Sequence, residues 1–204
     1  VYPVEVSCEG VVNGVACKWS RSLSGPKSNT TYGGASDLRN IASSLQKSAS
    51  NEYSEDVLPL IAYYGTGRLW AQKQAKKKGK QKLRSRFEGY RDCIAEQATD
   101  KQLLEWFSET TLLVSQEGPI PQMTAVQQAL ERCFADLIDH DETQRVKVEY
   151  RQRYRTVVVE YTNRSGEHEL HPMYEMSDGY RSVLSMVADI AHKMAVLNPQ
   201  SDAV

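Results

Sequence analysis

Apolar residues recur with two different periods in the first quarter of the chain. The runs Val4–Glu9 and Val11–Leu23 are typical of strands, and near the start of the second run lies Asn13-Gly14, a residue pair that favours a two-residue turn between antiparallel strands. In Ala35–Ala49 the apolar residues recur at helical spacing, and Ser36 is the candidate cap of that helix. The pattern therefore predicts a hairpin followed by a helix.

The middle of the chain changes from one apolar run to a polar helical pattern. Val57–Tyr64 is continuously apolar and ends before a glycine, which favours a buried strand. Leu69–Asp139 is polar and mostly helical in character, with apolar residues at helical spacing in Lys101–Ser115 and Thr124–Leu137. Gly118–Pro121 interrupts this pattern, so we expect two separate helices.

The last part of the chain alternates apolar and polar residues and then becomes helical again. Val146–Tyr150, Thr156–Tyr161 and Glu167–His171 predict three short strands, with turns between them. Met176–Ser182 opens a long helix, whose apolar residues continue to Leu197.

The element order is strands, then helices, then strands, then one long helix. It predicts an α+β fold in which antiparallel strands carry an inserted helical subdomain and a long final helix. We expect three parts: a β-rich part over residues 1–68, a helical, lid-like part over 69–141, and a β-meander with the long helix over 142–204.

The amino-acid composition indicates the cellular environment of the protein more than its activity. The chain has 204 residues, a net charge of −1 and 40% hydrophobic residues, which suits one domain, or one domain with an inserted subdomain. Its four cysteines include no C-x-x-C pair, which favours a reducing, cytoplasmic setting over a zinc site or a disulfide framework. We also predict no metal site, no signal peptide and no membrane-spanning segment.

A basic run lies between Lys73 and Arg86, where eight cations occur without an acid. Such a run binds nucleic-acid phosphates in a salt-dependent manner, and the alternative interpretation is a solvated loop. The residues proposed for nucleic-acid contact are Lys76, Lys77, Lys78, Lys80 and Lys82.

The start of the last helix carries the most informative candidate site. The first N–H groups of a helix lack partners within it, and the helix dipole adds partial positive charge there. Ser177 adds a hydroxyl, Gly179 lets the backbone approach a ligand, and Arg181 adds a fixed cation. Phosphate binding and plain helix capping are both compatible with this pattern.

Two blocks of sequence resemble a known class of ATPase. The run from Tyr174 to Pro199, YEMSDGYRSVLSMVADIAHKMAVLNP, resembles the signature helix of ABC-type ATPase heads, most closely the SMC/RecF-like group. Leu58 to Trp70, LPLIAYYGTGRLW, resembles a block in bacterial AAA-family proteins described as predicted ATP-binding proteins involved in virulence. Ser177 and Gly179 match the signature serine and second glycine, whereas Asp178 stands where many members have glycine.

The resemblance implies that two heads, in a homodimer, enclose ATP and Mg²⁺ between them. The phosphate loop of one head would hold the triphosphate, and the residues 177–181 of the other, named here the signature turn, would contact its γ-phosphate. Ser177, Gly179 and Arg181 are the residues implied to bind ATP in trans, with Arg181 either near the phosphates or only supporting the turn. Heads of this kind serve in DNA repair or phage defence, with DNA and with a nuclease or toxin as partners.

Two motifs of such ATPases do not occur in this sequence. It contains no G-x-x-x-x-G-K-[ST] phosphate loop, and no apolar strand ending in Asp-Glu follows the last helix. In the resembling family these motifs lie upstream of the first residues and downstream of Asn198-Pro199. We therefore expect an internal segment of a larger ATPase that has no catalytic residue of its own, relies on residues outside it to hold ATP and Mg²⁺, and does not hydrolyse ATP alone.

The turn after the predicted strand is a second candidate for nucleotide contact. Ligand sites often lie at the carboxyl ends of strands, and by position this turn resembles the Q-loop segment of related ATPases, although it contains no glutamine. Gly65 and Arg68 are its nucleotide-proximal candidates, and a plain turn with a surface arginine is equally compatible. The alternative function for the whole chain is a nucleic-acid or protein binding module that acts through Lys73–Arg86 and has no nucleotide role.

Overall fold

The computed structural model describes residues 1–51, 54–65, 85–91, 93–94, 100–138 and 140–201. These residues contain five β-strands in two antiparallel sheets and four α-helices, which confirms the α+β fold class. The chain divides into two compact units, Val1–Pro59 and Leu60–Val204. The division into three parts at residues 68 and 141 stays a prediction.

The first unit opens with the hairpin that the sequence predicts. Strands β1 (Val4–Val12) and β2 (Val15–Leu23) pair antiparallel, so that Val12 lies opposite Val15. The turn residues Asn13 and Gly14 have φ angles of 51° and 76°. Asn and Gly tolerate this left-handed conformation better than other residues, and the pair therefore closes the hairpin.

A 3₁₀ turn, Gly33–Ala35, runs directly into helix α1 (Ser36–Ala49). The helix prediction is confirmed, but the predicted cap is wrong. Ala35 occupies the N-cap position, and Ser36 already has helical φ and ψ angles of −56° and −47°. Because the 3₁₀ turn leads straight into the helix, Ser36 lies inside the first turn and its hydroxyl cannot cap it.

The apolar run that begins at Val57 does not form the predicted buried strand. The backbone from residue 54 to 65 is irregular, and Val57 is 60% exposed although its neighbour Leu58 is 2% exposed. Pro59 removes a backbone donor from the middle of the run, which disfavours a central strand. The N–H of Tyr63 donates to the carbonyl of Cys93 at 2.8 Å, so this backbone bond goes to a turn instead of a strand.

In the described part of the second unit, the first two α-helices are those predicted from periodicity. Helices α2 (Asp100–Glu117) and α3 (Pro121–Ala135) are joined by a short connection in which Gly118 has a φ of 94°. Pro121 lies in the first turn of α3, where a missing N–H leaves no intrahelical bond unmade. Their buried apolar residues are Leu103, Trp106, Phe107, Met123, Val126, Leu130 and Phe134.

Strands β3 (Lys147–Arg151), β4 (Thr156–Thr162) and β5 (His168–Pro172) form an antiparallel sheet in chain order. They confirm the three predicted strands to within one residue at each end. One face of the sheet contributes Val148, Val157 and Val159 to a core shared with α2, α3 and the last helix.

Helix α4 (Asp178–Leu197) packs against α3 and confirms the predicted long helix. Its buried residues Leu184, Ala188, Ala191 and Ala195 recur at spacings of four, three and four, so they form one stripe along the helix. The three alanines allow neighbouring elements to approach closely, while the first residues of α4 remain exposed. None of the described helices is long and apolar enough to cross a membrane.

Two chain segments that flank residues 66–84 are both fixed to α4. The hydroxyl of Tyr64 donates to Oδ2 of Asp189 at 2.8 Å. Farther along the helix, Nε of Arg86 donates to the carbonyl of Leu197 at 2.7 Å. A Cβ added at Gly89 would lie only 2.5 Å from Cγ of Leu197, so glycine lets this segment lie directly on the end of the helix.

Candidate functional site

Ser177 is the N-cap residue of α4. It has extended φ and ψ angles of −60° and 156°, and its Oγ accepts a hydrogen bond from the N–H of Tyr180 at 3.5 Å. Its carbonyl accepts the N–H of Arg181 at 3.0 Å, which is the first bond of the helix. Since Oγ acts only as an acceptor here, the hydroxyl proton of Ser177 can still be donated to a ligand.

Two further donors lie beside that hydroxyl. The backbone N–H groups of Asp178 and Gly179 belong to the first turn, which has no acceptors within the helix, and neither has a partner among the described residues. Both residues are exposed. A Cβ added at Gly179 would meet only Oγ of Ser177, at 3.9 Å, so the space above this turn is open. The exposed helix start therefore presents three donors and room for an anion.

Charge at the signature turn is balanced within the turn itself. Nη2 of Arg181 forms an ion pair with Oδ1 of Asp178, three residues earlier on the helix. The two side chains are 43% and 75% exposed, so water screens the pair and either partner can exchange it for another. Asp178 therefore pairs with Arg181, the cation that the sequence suggests for phosphate binding. The resembling family usually has glycine at the position of Asp178.

Tyr180 is the residue of this turn that sequence reasoning did not single out. Its hydroxyl donates to the carbonyl of Leu137, just beyond α3, at 3.2 Å. Its ring stacks on that of Phe134, with centroids 6.3 Å apart and an interplanar angle of 26°. An exposed tyrosine inside an otherwise small and polar turn was the only signal in the sequence, and it did not identify a partner 43 residues away.

The second candidate, Gly65, lies at the end of the described segment that contacts the middle of α4. Its neighbour Tyr64 bonds to Asp189, which is 12 residues, or about 18 Å of helix, beyond Ser177. The structure therefore places Gly65 and the signature turn at different levels of α4 and does not join them in one site. Arg68 and the five lysines Lys76, Lys77, Lys78, Lys80 and Lys82 lie outside the described residues.

The acidic loop at His140 has the hydrogen bonds of a plain polar turn. Oδ1 of Asp141 accepts the hydroxyl and the N–H of Thr143, at 2.7 and 2.9 Å. These two bonds hold the pKa of the Asp141 carboxyl below its usual value against the opposing effect of desolvation, and the charge of His140 contributes least. Across the described part of the chain, no group of three or more His, Cys, Asp or Glu side chains is arranged to hold a metal ion.

No protein-family model matches this sequence, and no curated protein is significantly similar to it.

Proposed function

We propose that this chain is part of an ABC-type, SMC/RecF-like ATPase head and that its signature turn contacts ATP held by a second copy. The observation that carries the proposal is the group of donors at the exposed start of α4. The hydroxyl of Ser177 and the N–H groups of Asp178 and Gly179 have no acceptor among the described residues. The oxygens of a γ-phosphate are acceptors of the required charge.

Packing of helix α4 in the core fixes the position of these donors. Helix α4 has 20 residues, and its buried stripe fixes it in the core of the second unit. A long helix also gives a full macrodipole, which favours an anion within the first turn. Helices α2 and α3, which pack in the same core, would correspond to the helical subdomain of such a head.

The remaining parts of the ATP site would come from sequence outside these 204 residues. The phosphate loop would hold the triphosphate, and acidic residues after a further strand would hold Mg²⁺ and orient water. The chain by itself would then hydrolyse no ATP. The resemblance places such heads in DNA repair or defence against phage, and the partner that matters for the signature turn is a second copy of the same head.

Exchange of Ser177 for arginine in the natural ATPase that contains this sequence tests the proposal. The long side chain would cover the donors of the signature turn, so we expect ATP to leave the Ser177→Arg protein monomeric in analytical ultracentrifugation. Ser165→Arg, which makes the same exchange in the exposed turn between β4 and β5, should dimerise as the wild type does. ATP-driven dimerisation of Ser177→Arg at the wild-type level would refute the role of Ser177.

A mixing experiment separates contact in trans from contact within one copy. The Ser177→Arg protein is combined with a copy whose phosphate-loop lysine is replaced, each inactive alone. Contact in trans leaves one intact site in the mixed dimer, so we expect ATPase activity to return. If the serine acts within its own copy, both sites of the mixed dimer are defective and no activity returns.

Nucleic-acid binding through the basic run is distinguished by salt. If the run from Lys73 to Arg86 is the working surface, filter binding of DNA should fall steeply as salt rises and should not depend on Ser177. The last cation of the run, Arg86, is bonded to the carbonyl of Leu197 and is therefore not available in full for phosphates. DNA retention that falls steeply with salt, combined with no response to ATP, would support the alternative function.

A further inference from the structure

Tyr180 connects the signature turn to the neighbouring helix α3 by two separate contacts. Its hydroxyl donates to the carbonyl of Leu137 at 3.2 Å, and its ring stacks on Phe134. Phe134 is 2% exposed and belongs to the central core of the unit. The far end of the connection is thus a fixed part of the fold.

The anchor at Leu137 is itself held by the end of α3. The N–H groups of Leu137 and Ile138 both donate to the carbonyl of Phe134, at 2.9 and 3.1 Å. These bonds close the last turn and fix the direction of the Leu137 carbonyl, which has no acceptor role within the helix. The carbonyl of Leu137, which accepts no other hydrogen bond from the described residues, therefore accepts the hydroxyl of Tyr180 at the start of α4.

The backbone of Tyr180 completes the path to Ser177. Its N–H is the donor that Oγ of Ser177 accepts, at 3.5 Å. The residue therefore holds the Ser177 side chain with its main chain and the end of α3 with its side chain. A rotation of the first turn of α4 would break both bonds together.

We propose that Tyr180 is a positioning residue that fixes the direction in which Ser177 offers its hydroxyl to the γ-phosphate. The inference rests on the proposed function. A purely structural role fits less well, because the tyrosine is 40% exposed and water can replace its bond to Leu137 at little cost in stability. A donor aimed at a phosphate depends on direction, however, and a small loss of order at this turn weakens the contact.

The test compares Tyr180→Phe with Tyr174→Phe in the natural ATPase. Both variants lose one hydroxyl and keep the ring, and Tyr174 is an exposed residue of the preceding 3₁₀ turn whose hydroxyl bonds to none of the described residues. We expect Tyr180→Phe to raise the ATP concentration for half-maximal dimerisation by about two- to tenfold. Tyr174→Phe should match the wild type, and the melting temperatures of all three proteins should agree closely.

Ser177→Arg, measured in parallel, tells the two proposals apart. If Ser177→Arg abolishes dimerisation and Tyr180→Phe behaves as the wild type, the positioning role is refuted and the proposed function survives. If Ser177→Arg dimerises normally, both fail. A fall in the melting temperature of Tyr180→Phe that accounts for its weaker dimerisation also refutes the positioning role, because the tyrosine would then serve only the stability of the fold.

Discussion

Nζ of Lys193 lies 2.7 Å from Oδ2 of Asp189, one turn earlier on helix α4. The same oxygen accepts the hydroxyl of Tyr64, so one carboxylate joins the helix to the segment that precedes residue 66. Only 11% of the Lys193 side chain is exposed. An ammonium group with so little access to water depends on its paired carboxylate. Loss of Asp189 should therefore destabilise this part of α4.

Replacement of Asp189 by alanine should lower the free energy of unfolding by about 2–3 kcal/mol, because it leaves a largely buried ammonium unpaired. Asp178→Ala on the same helix should cost less than about 1 kcal/mol, since that carboxylate is 75% exposed. Urea denaturation measures both values. Equal losses for the two variants would show that burial of the Lys193 pair contributes nothing.

Alanine at Gly89 should destabilise the second unit by about 1–3 kcal/mol. Its Cβ would lie 2.5 Å from Cγ of Leu197 and 3.1 Å from the carbonyl oxygen of Lys193, and that backbone atom cannot rotate away. Gly33→Ala is the control, because a Cβ there meets no atom within 4 Å. Thermal unfolding of the two variants would contradict this account if Gly89→Ala melted at or above the wild-type temperature.

Acid should weaken the fold partly through Glu149. Burial raises the pKa of this carboxyl, but hydrogen bonds and charges from Lys147 and Arg151 outweigh it and bring the pKa below the ordinary value of 4.5. A carboxyl with a lower pKa in the folded state stabilises the fold above its unfolded pKa, and this contribution is lost as the pH falls through the folded pKa.

Glu149→Gln should therefore show a smaller decline in unfolding free energy than the wild type between about pH 5 and pH 3. Glu117→Gln, at the exposed end of α2, removes a carboxylate that forms no ion pair with the described residues and serves as the control. Denaturation curves collected across this pH range give the free energy of unfolding of the wild type and of both variants. Parallel declines for wild type and Glu149→Gln would exclude a contribution from Glu149.

Asparagine at position 178 should strengthen the contact that we propose for the signature turn. It removes the carboxylate that pairs with Arg181, so the cation becomes available to a phosphate and the negative charge beside it disappears. The ATP concentration for half-maximal dimerisation should fall by about two- to fivefold. A rise in that concentration would mean that the Asp178–Arg181 pair supports the turn in the form that meets ATP.

Local patterns in the sequence were sufficient for most of the regular structure. The hairpin at Asn13-Gly14 and the helices α2, α3 and α4 follow from turn chemistry and from spacing, which act between residues close in sequence. The run from Val57 to Tyr64 was predicted wrongly because a strand also needs a neighbour to pair with, and composition does not supply one. Ser36 failed as a cap because the preceding 3₁₀ turn, which has no strong pattern, determines where α1 begins.

The candidate site was predictable only in part for the same reason. Ser177 was identified because a cap and its helix are adjacent in sequence. The partners of Tyr180 and Asp189 are not: the bond from Tyr180 reaches back 43 residues to Leu137, and Tyr64 lies 125 residues before Asp189. Such pairs follow from how the core brings helices together, and no short pattern encodes them.

The attachments of Tyr64 and Arg86 to α4 fix both ends of the chain segment that lies between these two residues. The residues they contact, Asp189 and Leu197, are eight apart, which is about 12 Å along the helix. The chain leaves the helix and returns to it within that short distance, whatever lies between. Any exchange of sequence between Tyr64 and Arg86 must therefore preserve two anchors about 12 Å apart on one helix.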